Sequence, residues 1–189
     1  MLFRSELPAT VTDASETSVT VSDASRIVVL NQAVAEIVIS LGMKENIIGR
    51  DATTTLEALQ AVEKVSNGHD VSAESVLSLR PTVVIGDTRT GPPEAIEQLR
   101  GAGIPVVIAP EVWTLSALPA RVTMIASALG VPKAGERLVD LSESAINDAL
   151  KNVGAANSTL RVAFLYVRGT ASVYLLGGEG SGEIGRAHV

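Results

Sequence analysis

The sequence predicts an α/β protein built on a parallel sheet with helices on both faces. Short apolar runs, RIVVL from residue 26, TVVIG from 82 and PVVIA from 105, are continuous rather than alternating. That is the pattern of strands buried on both faces. Segments with helical spacing separate these runs, and strand and helix alternate along the chain.

Residues 1–25 are rich in Ser, Thr, Ala and Asp. Two β-branched runs, 9–11 and 18–21, flank the polar stretch 13–16 and read as a weak edge hairpin. After the strand at 26–30, Val34, Ile37, Val38 and Leu41 carry helical spacing up to Gly42, a natural residue for the position just past a helix end. Ile47 and Ile48 begin a short strand that runs into Arg50, Asp51 and a threonine-rich loop at 53–55. Asn67-Gly68 marks a turn and sets His69 in a tight loop. Ser72 suits a helix N-cap, and Glu74 complements the positive end of that helix. Val76, Leu77 and Leu79 make its apolar side, and Pro81 stops it. The strand at 82–86 leads through a loop at 87–92 to a helix with Ala95, Ile96 and Leu99 inward, ending at Gly101. The strand at 105–109 follows.

Residues 115–153 break the alternation. A helix over 116–129 accepts Pro119 only in its first turn. Gly130-Val131-Pro132 punctuates it, and a second helix carries Leu138, Leu141, Ala145, Ala149 and Val153 on one face. About 20 helical residues would span ~30 Å, enough for a connector between two lobes. RVAFLYV from residue 161 and SVYLLGG from 172, around a turn at Gly169-Thr170, open a second α/β lobe. The last six residues, IGRAHV, show neither helical nor strand patterning and resemble a translated adapter sequence. They are expected to be a non-native tail, His188 included. The expected organisation is therefore a polar segment at 1–25, a lobe at 26–113, a connector at 114–156, the start of a second lobe at 157–183 and a tail at 184–189.

Composition narrows the function. The chain has 189 residues, 46% of them hydrophobic but only 3% aromatic, so its core is aliphatic. A net charge of −6 without a Lys/Arg cluster argues against a nucleic-acid partner. The absence of cysteine excludes disulfides and thiolate sites. No apolar run reaches the length of a membrane span. MLFRSELPAT lacks the apolar core of a signal peptide, so the protein is either cytosolic or has a leader outside this chain.

Ligands of such sheets bind beyond the carboxyl ends of the strands. The loops at 51–55, 67–70, 87–91 and 111–114 meet there, and His69 belongs to one of them. GGEGSG at 177–182 fits neither a dinucleotide fingerprint nor a phosphate-binding loop, and no G-x-S-x-G elbow is present. One internal histidine cannot supply a zinc site. A histidine in a loop is ordinarily a surface residue, but Tyr166 and Arg168 change its context. Residues two apart share a face of a strand. A nearby cation favours the phenolate, and phenolate and imidazole both ligate haem iron. Tyr174 is the rival phenol, without an arginine two residues away.

Together RIVVLNQAVAEIVISLGMKENIIGRD, NGHDVSAESVLSLRPTVVIGDTRTGP, QLRGAGIPVVIAP and LRVAFLYVRGTASVYLLGGEGSG resemble the haemin-binding substrate-binding proteins of ABC importers, of the actinobacterial lipid-anchored type. The resemblance runs from about residue 19 to 183. It implies a class III substrate-binding protein, two Rossmann-like lobes joined by a helical connector, the second incomplete here. It also implies no catalysis, capture of haemin as ligand, and delivery to an ABC permease outside the cytoplasm, with membrane association only through a lipid anchor absent from this chain. His69 and Tyr166 then match the axial ligands, Arg168 the arginine that supports the phenolate, and Glu74 a permease-docking glutamate. Arg50 and the 53–55 loop are expected to meet the propionates. A siderophore or cobalamin binder of the same superfamily, or an α/β enzyme working at the same rim, are the alternative readings.

Overall fold

The apolar runs become three adjacent strands of one five-stranded sheet. A computed structural model of the chain describes residues 6–67, 70–153, 164–168, 172–176 and 184–186. They fall into two units, 1–143 and 144–189. In the first unit, β1 (Ala9–Thr12) and β2 (Ser18–Val21) precede β3 (Ile27–Val29), β4 (Ile47–Arg50) and β5 (Glu63–Lys64). Then follow the short β6 (Ser66–Asn67) and β7 (Asp70–Val71), the inner strand β8 (Val83–Asp87) and the edge strand β9 (Val106–Ala109). The sheet order is β5-β4-β3-β8-β9, with every pairing parallel.

Its two faces explain why the strands read as continuous apolar runs. Ile27, Val29, Val83, Ile85, Val107 and Ala109 join one buried cluster. Their neighbours Val28, Leu30, Val84, Val106 and Ile108 join the other. Successive residues of a strand point to opposite faces, so a strand covered on both sides has no polar position to offer. α1 (Gln32–Ser40) and α4 (Leu118–Ala128) cover the first face with Val34, Val38, Val122 and Ile125. α2 (Ala73–Ser78) and α3 (Pro93–Gly101) cover the second with Val76, Ile96 and Leu99. The edge strand β5 offers only exposed Glu63 and Lys64, charges that discourage pairing with another chain.

The predicted local signals appear where the sequence put them. Gly42 has φ +83 and follows Leu41, the C-cap of α1, a backbone conformation that glycine tolerates best. Ser72 caps α2 by accepting a hydrogen bond from the Ser75 amide. Pro119 lies in the first turn of α4, just after a 3-10 turn at Leu115–Ala117. α5 (Pro132–Val153) begins against α4, where a Cβ on Gly135 would stand 2.5 Å from that of Ala126. Leu138 packs on the first cluster, whereas Leu141, expected on the same inward face, is 69% exposed.

The amino-terminal hairpin forms over the two β-branched runs. It is its own antiparallel two-stranded sheet, with Val19 and Val21 buried in the first cluster, and it lies against the β9 edge of the main sheet. Its turn determines this. The Ala14 amide donates to the Ile108 carbonyl (2.8 Å), and the Ile108 amide donates to Asp13 Oδ2 (3.1 Å). The turn thus closes hydrogen-bonding positions on the β9 edge. Asp13 Oδ1 also accepts from the amides of Ser15 and Thr17 and the Ser15 hydroxyl, and Arg100 Nη2 lies 3.4 Å from Oδ2.

In the second unit, β10 (Phe164–Arg168), β11 (Ser172–Leu176) and β12 (Ile184–Arg186) form an antiparallel sheet in that order. Tyr166 is the register partner of Tyr174, and Arg168 of Ser172. β12 falls within the six residues read as having no strand character. It joins the sheet by backbone pairing, with Tyr174 opposite Arg186, and backbone pairing does not require an alternating side-chain pattern. The turn at 169–170 and the glycine cluster at 177–182 lie outside the described residues.

Burial opposes the charge on Asp13, but the hydrogen bonds it accepts outweigh that and hold its pKa below the ordinary carboxylate value. A lowered folded pKa stabilises the fold above the unfolded value, about 3.9, and that stability is lost as pH falls through the lower folded value. Asp13→Asn should therefore flatten the loss of stability between pH 5 and pH 2 in urea denaturation. It should also cost roughly 1–3 kcal/mol at pH 7, because buried donors lose an acceptor. An unchanged acid slope would contradict this assignment.

Candidate functional site

The strand order reverses between β3 and β8, because β3 connects through α1 to β4 on one side while β8 lies on the other. At such a switch point the chain leaves neighbouring strands in opposite directions and opens a crevice at their carboxyl ends. A cleft of about 300 Å³ occupies this place. Leu30, Asn31 and Gln32 after β3, Asp51 and Thr53 after β4, Val71, and Asp87, Arg89 and Thr90 at the end of β8 line it. A second cleft, about 420 Å³, lies beside it between α1, α4, α5 and the loop after β9, with Glu111, Trp113 and Arg121 in its wall. Asn31 and Arg89 line both.

A buried polar group organises the floor. Asn31 is the N-cap of α1, and its Oδ1 accepts from the Val34 amide (2.9 Å). Its Nδ2 donates to Asp87 Oδ2. Arg121, on α4, places Nη2 at 3.2 Å from Asn31 Oδ1 and 3.4 Å from Asp87 Oδ2. Asp87 is 2% and Arg121 5% exposed. The Thr90 hydroxyl closes the next loop by accepting from the Asp87 amide (2.8 Å). Gly86 permits that closure, since a Cβ there would stand 2.5 Å from Thr90 Oγ1.

The loop after β4 is braced the same way. Asp51 accepts from the amide and hydroxyl of Thr53 and from the Thr54 hydroxyl. Arg50 donates Nε to the Leu59 carbonyl (2.8 Å) and Nη1 to those of Thr54 (2.7 Å) and Asp51 (3.3 Å). The side chain expected to reach propionates is 5% exposed, with these donors turned to loop carbonyls. It braces the loop by adding side-chain donors to the carbonyls of Asp51, Thr54 and Leu59.

Glu74 is exposed in the first turn of α2. His69 lies outside the described residues, but its flanks are placed. β6 and β7 pair antiparallel, Asn67 opposite Asp70. The Val71 amide donates to the Gly91 carbonyl (2.9 Å), so this hairpin is tied to the loop after β8. Tyr166 and Arg168 stand two apart on β10, in the other unit. Among the described residues no three His, Asp or Glu gather as a metal site.

Sequence reasoning missed Asn31, Asp87 and Arg121. The available signals were an asparagine directly after a strand and before a helix, and an aspartate ending an apolar run. Arg121 gave none, being a lone cation in an amphipathic helix. It also missed the Arg89–Trp113 contact, in which the guanidinium carbon stands 5.3 Å from the ring centroid.

Cutting Arg121 to Ala leaves Asp87 buried without its cation, which should destabilise the fold by about 3–5 kcal/mol. The paired change Asp87→Leu with Arg121→Met should recover most of the loss. Urea denaturation of the three proteins checks this, and an Arg121→Ala effect below 1 kcal/mol would contradict it.

Comparison with known proteins places this architecture. Residues 27–183 match the family model described as periplasmic binding protein. YvrC of Bacillus subtilis strain 168, an uncharacterised ABC transporter substrate-binding lipoprotein, is 31% identical over 145 residues, 75% of this chain and 46% of YvrC. The crystal structure of the haem-binding protein HmuT is 35% identical with a TM-score of 0.84, covering 93% of this chain and 59% of that one. The periplasmic haem-binding protein RhuT from Roseiflexus sp. RS-1, in its apo form, is 37% identical with a TM-score of 0.75, covering 81% and 59%. BhuT, solved with two haems, is 31% identical with a TM-score of 0.72, covering 79% and 59%. The chain thus spans about half to three-fifths of the length of these relatives. With its parallel sheet, its switch-point cleft and a family match across most of its length, the chain belongs to the periplasmic binding proteins, a family of ligand carriers rather than enzymes.

Proposed function

We propose that this chain is part of an extracytoplasmic haem-binding protein that captures haemin and passes it to an ABC-type importer. The observation that carries the reading is the likeness to HmuT, 35% identical over 93% of this chain, joined to a cleft at the switch point of the same sheet. RhuT and BhuT support it from the same direction.

In this proposal His69 and Tyr166 are the axial ligands of the iron. Arg168, two residues along β10, keeps Tyr166 as phenolate, since a neighbouring cation favours the charged form. Phenolate is an anionic, hard ligand that favours ferric iron, and imidazole completes the pair. Haemin is the ligand carried rather than a catalytic cofactor. Arg50 contributes by bracing the 51–59 segment that walls the cleft. Location outside the cytoplasm, with a lipid anchor beyond this chain, agrees with the description of YvrC as a lipoprotein. The permease is the protein partner, and Glu74 is the docking carboxylate. Its exposure and its place beside the capped start of α2 leave it free of any packing duty.

Haemin added to the complete protein should give a saturable shift of the Soret band, and His69→Ala and Tyr166→Phe should each move or abolish it. A siderophore or cobalamin carrier would bind its own ligand and give no saturable haemin shift. Identical shifts in all three proteins would discard both ligands and reduce the binding to adventitious adsorption of porphyrin.

Glu74→Arg should leave the haemin titration unchanged and lower permease-dependent uptake severalfold in cells or proteoliposomes. Uptake equal to that of the unaltered protein would remove Glu74 from the docking surface.

A further inference from the structure

Arg89 and Trp113 are exposed side chains that meet each other outside the packed clusters. Trp113 is the chain's single tryptophan and is 56% exposed, while the Arg89 side chain is 67% exposed. They come from adjacent loops, after β8 and after β9, and meet with the guanidinium carbon 5.3 Å from the indole centroid. Glu111 holds the arginine from the side, 3.5 Å from its Nε. The Thr88 hydroxyl donates to that same Glu111 oxygen at 2.6 Å. Arg89 lines both clefts and so forms the ridge between them. Its loop is tied through Gly91 to the hairpin that flanks His69.

We infer that this ridge is a specificity subsite for the acidic edge of a flat, aromatic ligand, with Arg89 taking a ligand carboxylate and Trp113 lying against the ligand's apolar surface. The inference rests on the haem reading, in which the carboxylates are the porphyrin propionates. Three features favour it over a solvated surface pair. A half-exposed indole at the rim of a cleft gains by burial under a planar ligand. A guanidinium matches a carboxylate with two parallel N–H donors, a geometry lysine lacks. Glu111 is a carboxylate already in place, showing the ridge accepts that group. Because the Thr88 hydroxyl also holds Glu111, a ligand carboxylate can displace it from Arg89 without leaving it unpaired.

Glu111 is then a competitor of the ligand, and removing it should act opposite to removing Arg89. All three side chains are at least partly exposed and lie outside the two packed clusters, so their substitution leaves the fold standing.

The test is equilibrium titration of the complete protein with haemin and with haemin dimethyl ester, whose propionates are capped. Arg89→Ala should weaken haemin binding by about threefold to tenfold, the range of an exposed to partly desolvated charge pair. It should leave ester binding unchanged, and Arg89→Lys should recover only part of the loss. Glu111→Gln should keep haemin binding or tighten it. Trp113→Ala should weaken haemin and ester alike. Equal losses for both ligands in Arg89→Ala, or no loss in either, would overturn the carboxylate subsite while leaving the haem reading in place. Absence of a saturable Soret shift with the unaltered protein would overturn both.

Discussion

The rim of this protein depends on one buried ion pair. Asp87 ends the inner strand β8, and Arg121 reaches it from α4 across the N-cap of α1, Asn31, which is bonded to both. Two charges this far from water are tolerated only when each is paired and hydrogen-bonded. That requirement fixes the ends of β3 and β8 and the axis of α4 against one another. The loops that wall the clefts start from those fixed ends. Asp87 also accepts from the Arg89 amide (3.1 Å), which carries the constraint into the loop bearing the arginine of the ridge.

Much of the first unit was legible because its chemistry is local or periodic. Ser72 caps α2, Gly42 lies just beyond α1 at positive φ, and Val34, Val38, Ile96 and Leu99 fall where helical spacing put them. The parallel sheet followed from unbroken apolar runs, since only strands buried on both faces lack polar positions. Illegible were the interactions between residues far apart in sequence. Asp13 meets Ile108 and Arg100, and Arg121 meets Asn31 and Asp87. A polar residue in a polar stretch does not announce a partner ninety positions away. The hairpin was recognised as a hairpin, but the residue that ties its turn to β9, Asp13, was not. Arg50 was singled out at the rim and expected to meet the propionates. Its guanidinium donates to the carbonyls of Asp51, Thr54 and Leu59, contacts between backbone and side chain that no sequence pattern announces.

The candidate ligands rest on a different kind of signal. His69, Tyr166 and Arg168 came from short motifs within a family resemblance. The described rim presents an arginine, a tryptophan, threonines and a carboxylate. Rigidity beneath the loops and exposure on top of them is the division a binding face requires, since contacts poised before the ligand arrives lower the ordering cost of binding.

The most direct test of the account is a crystal structure of the complete protein with ferric haem. It should show the iron ligated by the imidazole of His69 and the phenolate of Tyr166, with Arg168 beside the phenolate oxygen. Iron bound through other residues, or haem lodged away from both side chains, would contradict the account.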